Sequence, residues 1–135
     1  MKVIKSHRTI FYDVDDTLVI WNWKAVDPEG SGLIAIRDTQ SNHTEHLLPH
    51  QRHIELLKQF KARGHTIVVW SQGGWQWAET VVRALGLEKL VDIVISKPDW
   101  YVDDLPASAF MGGNIYKHPT DPSKDKSCWV IEDEK

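Results

Sequence analysis

Thr9-Ile10-Phe11-Tyr12-Asp13-Val14-Asp15-Asp16-Thr17-Leu18-Val19 is an apolar, β-branched and aromatic run that ends abruptly in three carboxylates. Such a run predicts a buried strand that delivers acids to its own C-terminal tip, which is where open α/β sheets place ligands. Acids crowded at one tip are costly unless a cation or a reaction uses them. Asp13 and Asp15 lie two apart, so an extended backbone points them to one face while Val14 turns back into the packing. One carboxylate is then available as a nucleophile and its neighbour for proton transfer. Strand-end acids also serve as helix caps and turn residues, so the rest of the chain has to decide between these readings.

Outward from this stretch, the chain has 135 residues, enough for one domain, here taken as 1–135, with a core of its own. A net charge of -3 argues against a surface built to coat nucleic acid. The single cysteine, Cys128, excludes an internal disulfide and a cysteine zinc cluster. No stretch approaches the roughly 20 apolar residues of a membrane span, and the short apolar run at the start is too brief for a secretion signal. The expectation is a cytoplasmic protein without a membrane partner.

His65 to Trp70 is a second continuous apolar run, followed by Ser71-Gln72-Gly73-Gly74 and then a helical pattern from about Trp75 to Leu85 with Trp77, Val81 and Leu85 on one face. A hydroxyl, two glycines and a helix start offer donors to an anion. Between the first strand and this one, Leu33 to Arg37 and His43 to Leu48 flank a polar turn and predict a β-hairpin, a flap over about residues 20–48. Pro49 is expected to open a helix with Ile54, Leu57 and Phe60 inward. His43, His46, His50 and His53 are regularly spaced, but Pro49 breaks any single helix through them, so solvated histidines are favoured over a metal site.

Further on, Val91 to Ser96 is a third apolar run, and Trp100-Tyr101-Val102-Asp103-Asp104 repeats the pattern of apolar residues ending in paired acids. Only Lys97-Pro98-Asp99 separates the two, too little for the dozen-residue crossover between adjacent parallel strands. Met111 to Tyr116 predicts a last short strand, Lys117 to Lys126 a loop, and Cys128 to Ile131 a returning strand or anchor. Of the seven tryptophans, several flank the acidic runs. Packing accounts for most of them, and stacking on a flat group such as a nucleobase is the sharper alternative.

Asp13-x-Asp15-x-Thr17 resembles motif I of the haloacid dehalogenase superfamily, whose members are mostly phosphohydrolases. Ser71 resembles its motif II, Lys97 its motif III lysine, and Asp103-Asp104 its motif IV acids. The resemblance implies a three-layer α/β domain with a mainly parallel, Rossmann-like sheet and a hairpin flap, without a cap domain. It implies a magnesium-dependent, nucleotidase-like phosphate monoester hydrolase that passes through an aspartyl-phosphate. Asp13 would be the nucleophile and Asp15 the general acid and base, with Lys97 neutralising charge. Thr17, Ser71, Gln72 and Gly73 would lie along the phosphate site. Asp13, Asp15, Asp103 and Asp104 would serve Mg2+. The implied partner is a small phosphorylated substrate or a nucleic-acid phosphate end, with long nucleic acid disfavoured by the acidic balance. Alternatives of other kinds are a phosphoprotein phosphatase, a receiver-like phosphate-accepting domain, and a catalytically silent binding module.

Overall fold

The computed structural model describes residues 7–113, 115–116 and 118–127. The main sheet is parallel, in the order β1 (Thr9–Asp13), β5 (Thr66–Ser71), β6 (Ile93–Ser96). Between β1 and β5 the chain makes a three-stranded antiparallel flap, β2 (Val19–Ile20), β4 (His43–Pro49) and β3 (Ile34–Asp38), and then helix α1 (Gln51–Ala62). Helix α2 (Trp75–Ala84) connects β5 to β6. A two-stranded antiparallel pair, β7 (Ile115–Tyr116) with β8 (Lys126–Ser127), follows.

Alternation fixes which face of the sheet is buried. Tyr12 pairs with Val69 across β1 and β5, and these residues together with Ile67 belong to the core cluster that holds Leu57 and Phe60 of α1 and Ala78, Val81 and Val82 of α2. The Tyr12 ring meets Phe60 edge-on at 6.4 Å, and its hydroxyl donates to the His53 carbonyl. Burial there raises the Tyr12 pKa. The opposite face carries Phe11, Val68, Trp70 and Ile93. Phe11 meets Trp70 with the rings tilted and their centroids 4.5 Å apart, while Phe11 and Ile93 stay 42% and 51% exposed. The described residues thus form a small α/β domain in which both helices share a core with one face of a three-stranded parallel sheet.

Both predicted helices form on the predicted faces, and the predicted hairpin is β3 with β4, extended by β2 into a small sheet. The start of α1 differs. Pro49 closes β4 opposite Val19, where its missing N–H falls at the end of the ladder, and His50 is the cap, its Nδ1 accepting from the His53 N–H at 3.3 Å. Of the two apolar runs after α2, Ile93–Ser96 is the strand and Tyr101–Asp104 is not. Lys97-Pro98-Asp99 cannot span a parallel crossover, and the second run is left irregular, with Trp100 91% exposed. The expected strand over Met111 to Tyr116 is reduced to β7, and Cys128 to Ile131 lies outside the described residues.

The edge of β6 is tied to β5 by more than its ladder. Asp92 accepts from the Ile67 N–H at 2.8 Å and from Lys61 Nζ at 2.9 Å, bonds that hold its carboxyl below the usual range. No helix among the described residues is long and apolar enough to cross a membrane.

The face where α1 meets β1 and β5 is closed by Phe60, 1% exposed. Phe60→Ala is expected to cost about 3–5 kcal/mol, read as a lower urea midpoint with an unchanged m-value.

Candidate functional site at the parallel strand tips

The parallel register sets the geometry. Asp13 pairs with Trp70, and Ser71 pairs with Ser96, so β1, β5 and β6 end within about one residue of each other. Neighbouring strands lie about 4.8 Å apart, which places Asp13, Ser71 and Lys97 at one rim. Lys97 follows β6 directly, and its backbone N–H donates to the Ser71 carbonyl at 2.9 Å, which extends the ladder by one step. Its side chain runs over the Trp70 ring, 5.9 Å from the centroid, and brings Nζ to 3.1 Å from Asp13 Oδ1. Both partners keep about a third of their side-chain surface in water, so the pair is weak in energy and valuable for position.

β1 stops at Asp13 because the chain turns sharply afterwards. Asp16 takes φ +60, the Leu18 N–H donates to the Val14 carbonyl at 2.8 Å, and the Asp16 N–H donates to the Val19 carbonyl at 2.7 Å. Val14 is fully buried, as its position between the acids predicts. The turn separates the two carboxylates. Asp13 receives Lys97 on Oδ1 and the Thr17 hydroxyl on Oδ2 at 3.2 Å. Asp15 instead receives two indole N–H groups on Oδ1, Trp21 Nε1 at 2.8 Å and Trp77 Nε1 at 2.9 Å. Asp16 Oδ1 accepts the backbone N–H of Trp21 at 3.1 Å and so acts locally, as a turn residue.

On β5, Ser71 is fully buried, and its Oγ accepts the Gly73 N–H at 3.0 Å, while Gln72 and Gly73 are exposed. Gly74 takes φ +103, a conformation that side chains resist, and this allows the chain to enter α2 at once. The Trp75 N–H at the start of α2 donates to Ser96 Oγ at 2.9 Å, which links β6 to that turn.

Asp13, Asp15, Thr17, Ser71, Gln72, Gly73 and Lys97 thus belong to connected turns at one end of the sheet. Asp103 and Asp104 lie on the exposed irregular segment after β6, where Asp103 Oδ1 accepts the Leu105 N–H at 3.0 Å. Among the described residues no group of three or more histidine, cysteine, aspartate or glutamate side chains is placed to hold a metal ion. An open cavity of about 420 Å3 lies against the other side of the flap, between Ile20, Leu48, His50, Arg52 and Pro119, and none of the acids at the strand tips lines it.

Three side chains beyond the predicted set shape the site. Trp21 follows the first acidic run and Trp77 follows the Ser71-Gln72-Gly73-Gly74 turn, but no spacing rule connects an indole on α2 to a carboxylate 62 residues earlier. His53, expected in solvent, is 1% exposed. Its ring stacks on His50 at 3.3 Å, and its Nδ1 lies 2.7 Å from the Thr17 carbonyl, which makes Nδ1–H the donor. Nε2 has no hydrogen-bond partner among the described residues. Burial holds His50 below its usual pKa and pushes that of His53 down to about 4.

The folded pKa of His53 is below its ordinary 6.5, so between those values the unfolded chain binds more protons than the folded one. Its contribution to stability is complete above pH 6.5 and is lost as pH falls toward 4. The slope from one such group is at most about 1.4 kcal/mol per pH unit. His53→Gln keeps a donor for the Thr17 carbonyl and cannot charge, so denaturant titrations from pH 7 to 4 are expected to show a shallower decline than wild type.

Comparison of the chain with protein-family models, with curated proteins and with solved structures found no match.

Proposed function

We propose that the chain is a phosphate monoester hydrolase of haloacid dehalogenase type that works through an aspartyl-phosphate on Asp13. The observation that carries this reading is the division between the two carboxylates. Asp13 sits at the tip of β1 beside a cation and a hydroxyl, and Asp15 has a separate set of donors.

In the first step an oxygen of Asp13 bonds to phosphorus as the ester P–O bond breaks, and Asp15 in its acid form gives its proton to the departing oxygen. In the second, water attacks phosphorus and passes a proton to the Asp15 carboxylate. The P–O bond to Asp13 breaks, which releases inorganic phosphate and restores both side chains. Lys97 offsets the repulsion between an anionic nucleophile and an anionic substrate. The exposed turn at Gln72 presents a backbone donor to the phosphoryl oxygens, and rotation of the Ser71 hydroxyl out of its bond with the Gly73 N–H makes both of those groups donors as well.

The resemblance brings a Mg2+ requirement with it. Among the described residues no three histidine, cysteine or acidic side chains are grouped to hold an ion, and the steps above route nothing through one. Added Mg2+ tests that part of the proposal directly. Trp21 and Trp75, both exposed beside these turns, favour a substrate with a flat group next to its phosphate, such as a nucleotide or a nucleic-acid end.

Hydrolysis of an aryl phosphate with Mg2+ and with a chelator is the direct assay. Asp13→Asn is expected to lower turnover by at least about 1000-fold, and unchanged turnover would remove Asp13 as nucleophile. Asp15→Asn is expected to slow both steps and to let phosphoenzyme accumulate on Asp13, visible by mass spectrometry as one added phosphoryl group.

A further inference from the structure

The two indole donors on Asp15 are more than packing requires. Trp77 belongs to the core face of α2 and is 7% exposed, so burial accounts for its ring but not for the direction of its N–H. A buried indole needs an acceptor for its N–H, and here the acceptor is a carboxylate of the acidic turn. Trp21 comes from the other side, directly after β2 of the flap, and is 42% exposed. It is held twice, its backbone N–H on Asp16 and its indole N–H on Asp15. The two rings are 6.1 Å apart and tilted by 42°, an arrangement that aims both N–H groups at one point. That point is a single oxygen, Oδ1.

A carboxylate oxygen has two lone pairs in its plane, and the two indoles take both. We infer that Trp21 and Trp77 are positioning residues that fix the Asp15 carboxylate by Oδ1 and leave Oδ2 as the oxygen that gives and takes the proton. This rests on the hydrolase reading, and it adds a source of orientation that no acid, lysine or hydroxyl of the site supplies. Trp77, locked in α2, sets the position. Trp21, on the flap, completes the clamp only when the flap lies over the acidic turn.

The contact and its consequence are tested separately. In 15N spectra, the indole N–H signals of Trp21 and Trp77, assigned from Trp21→Phe and Trp77→Phe, are expected to move together in Asp15→Ala, whether or not the protein is active. Signals that stay in place overturn the clamp. For the consequence, single-turnover phosphorylation is compared between phenyl phosphate, whose leaving oxygen needs a proton, and 2,4-dinitrophenyl phosphate, whose leaving oxygen does not. Trp77→Phe keeps an aromatic ring in the core and loses the N–H, and it is expected to slow the phenyl ester by about 10-fold or more and the dinitrophenyl ester by less than about 3-fold, with KM little changed. Equal slowing of both esters means a merely structural tryptophan, and no slowing of either means that the N–H does not orient Asp15. Both results overturn the inference. A wild-type protein that hydrolyses neither ester ends the hydrolase reading and the proton-transfer role with it, while the indole signals still decide the contact.

Discussion

The parallel pairing of β1 with β5 is the constraint on which the other arrangements rest. Its register sets Asp13 level with Trp70 and leaves Ser71 one step further on, so two strands that are far apart in sequence present their polar ends side by side. Parallel strands demand a long crossover, and the chain spends it on the flap and on α1. The flap returns its first strand, β2, beside the acidic turn, and α1 seals the sheet face under Tyr12 with Leu57 and Phe60. The second crossover places α2 against β5 and β6 and carries Trp77 to the acids. Without that register neither the Lys97 pair nor the indole contact could form.

The turn after β1 converts a row of acids into two environments. Along an ideal strand Asp13 and Asp15 would share a face and repel each other. The left-handed conformation of Asp16, tolerated by aspartate, turns the chain back toward β2, and Asp15 bonds to Trp77 of α2 while Asp13 bonds to Lys97. His53 supports this turn from α1, through the bond between its Nδ1 and the Thr17 carbonyl, and Thr17 in turn donates to Asp13. A buried, neutral histidine suits that task, because an imidazolium there would be desolvated with Nε2 unpartnered.

How much of this was legible in the sequence follows from the range of each interaction. Continuous apolar runs gave β1, β5 and β6, and 3.6-residue periodicity gave both helices, because these patterns are local and are repeated over several residues. Ser71 and Lys97 were readable as strand-end residues because one is the last residue of β5 and the other the first after β6, where position in the chain and position in the fold coincide. The run Tyr101 to Asp104 has the same local pattern as β1 and still forms no strand, since its place depends on a connection that Pro98 and the short link do not permit. His50 and His53 were misplaced in solvent because Pro49 marks the end of a strand here and not the first residue of a helix. The indole bonds to Asp15 had only a faint trace in sequence, Trp21 beside the acids, and the other donor, Trp77, is distant in the chain.

Under the proposed chemistry the two carboxylates need different holds, and the contacts differ in that sense. A nucleophile must be released from its cation when the substrate arrives. The Lys97 pair with Asp13 is partly solvated and worth about 1 kcal/mol or less, so a phosphate with more negative charge can draw the ammonium to itself and uncover Oδ1. A proton carrier must stay in place through two steps. Charge-assisted bonds from two indoles, one of them buried in a helix, resist displacement by an anionic substrate, because an N–H fixed in the core cannot follow it. The loose contact thus lies on the group that has to change partners, and the firm one on the group that has to keep its place.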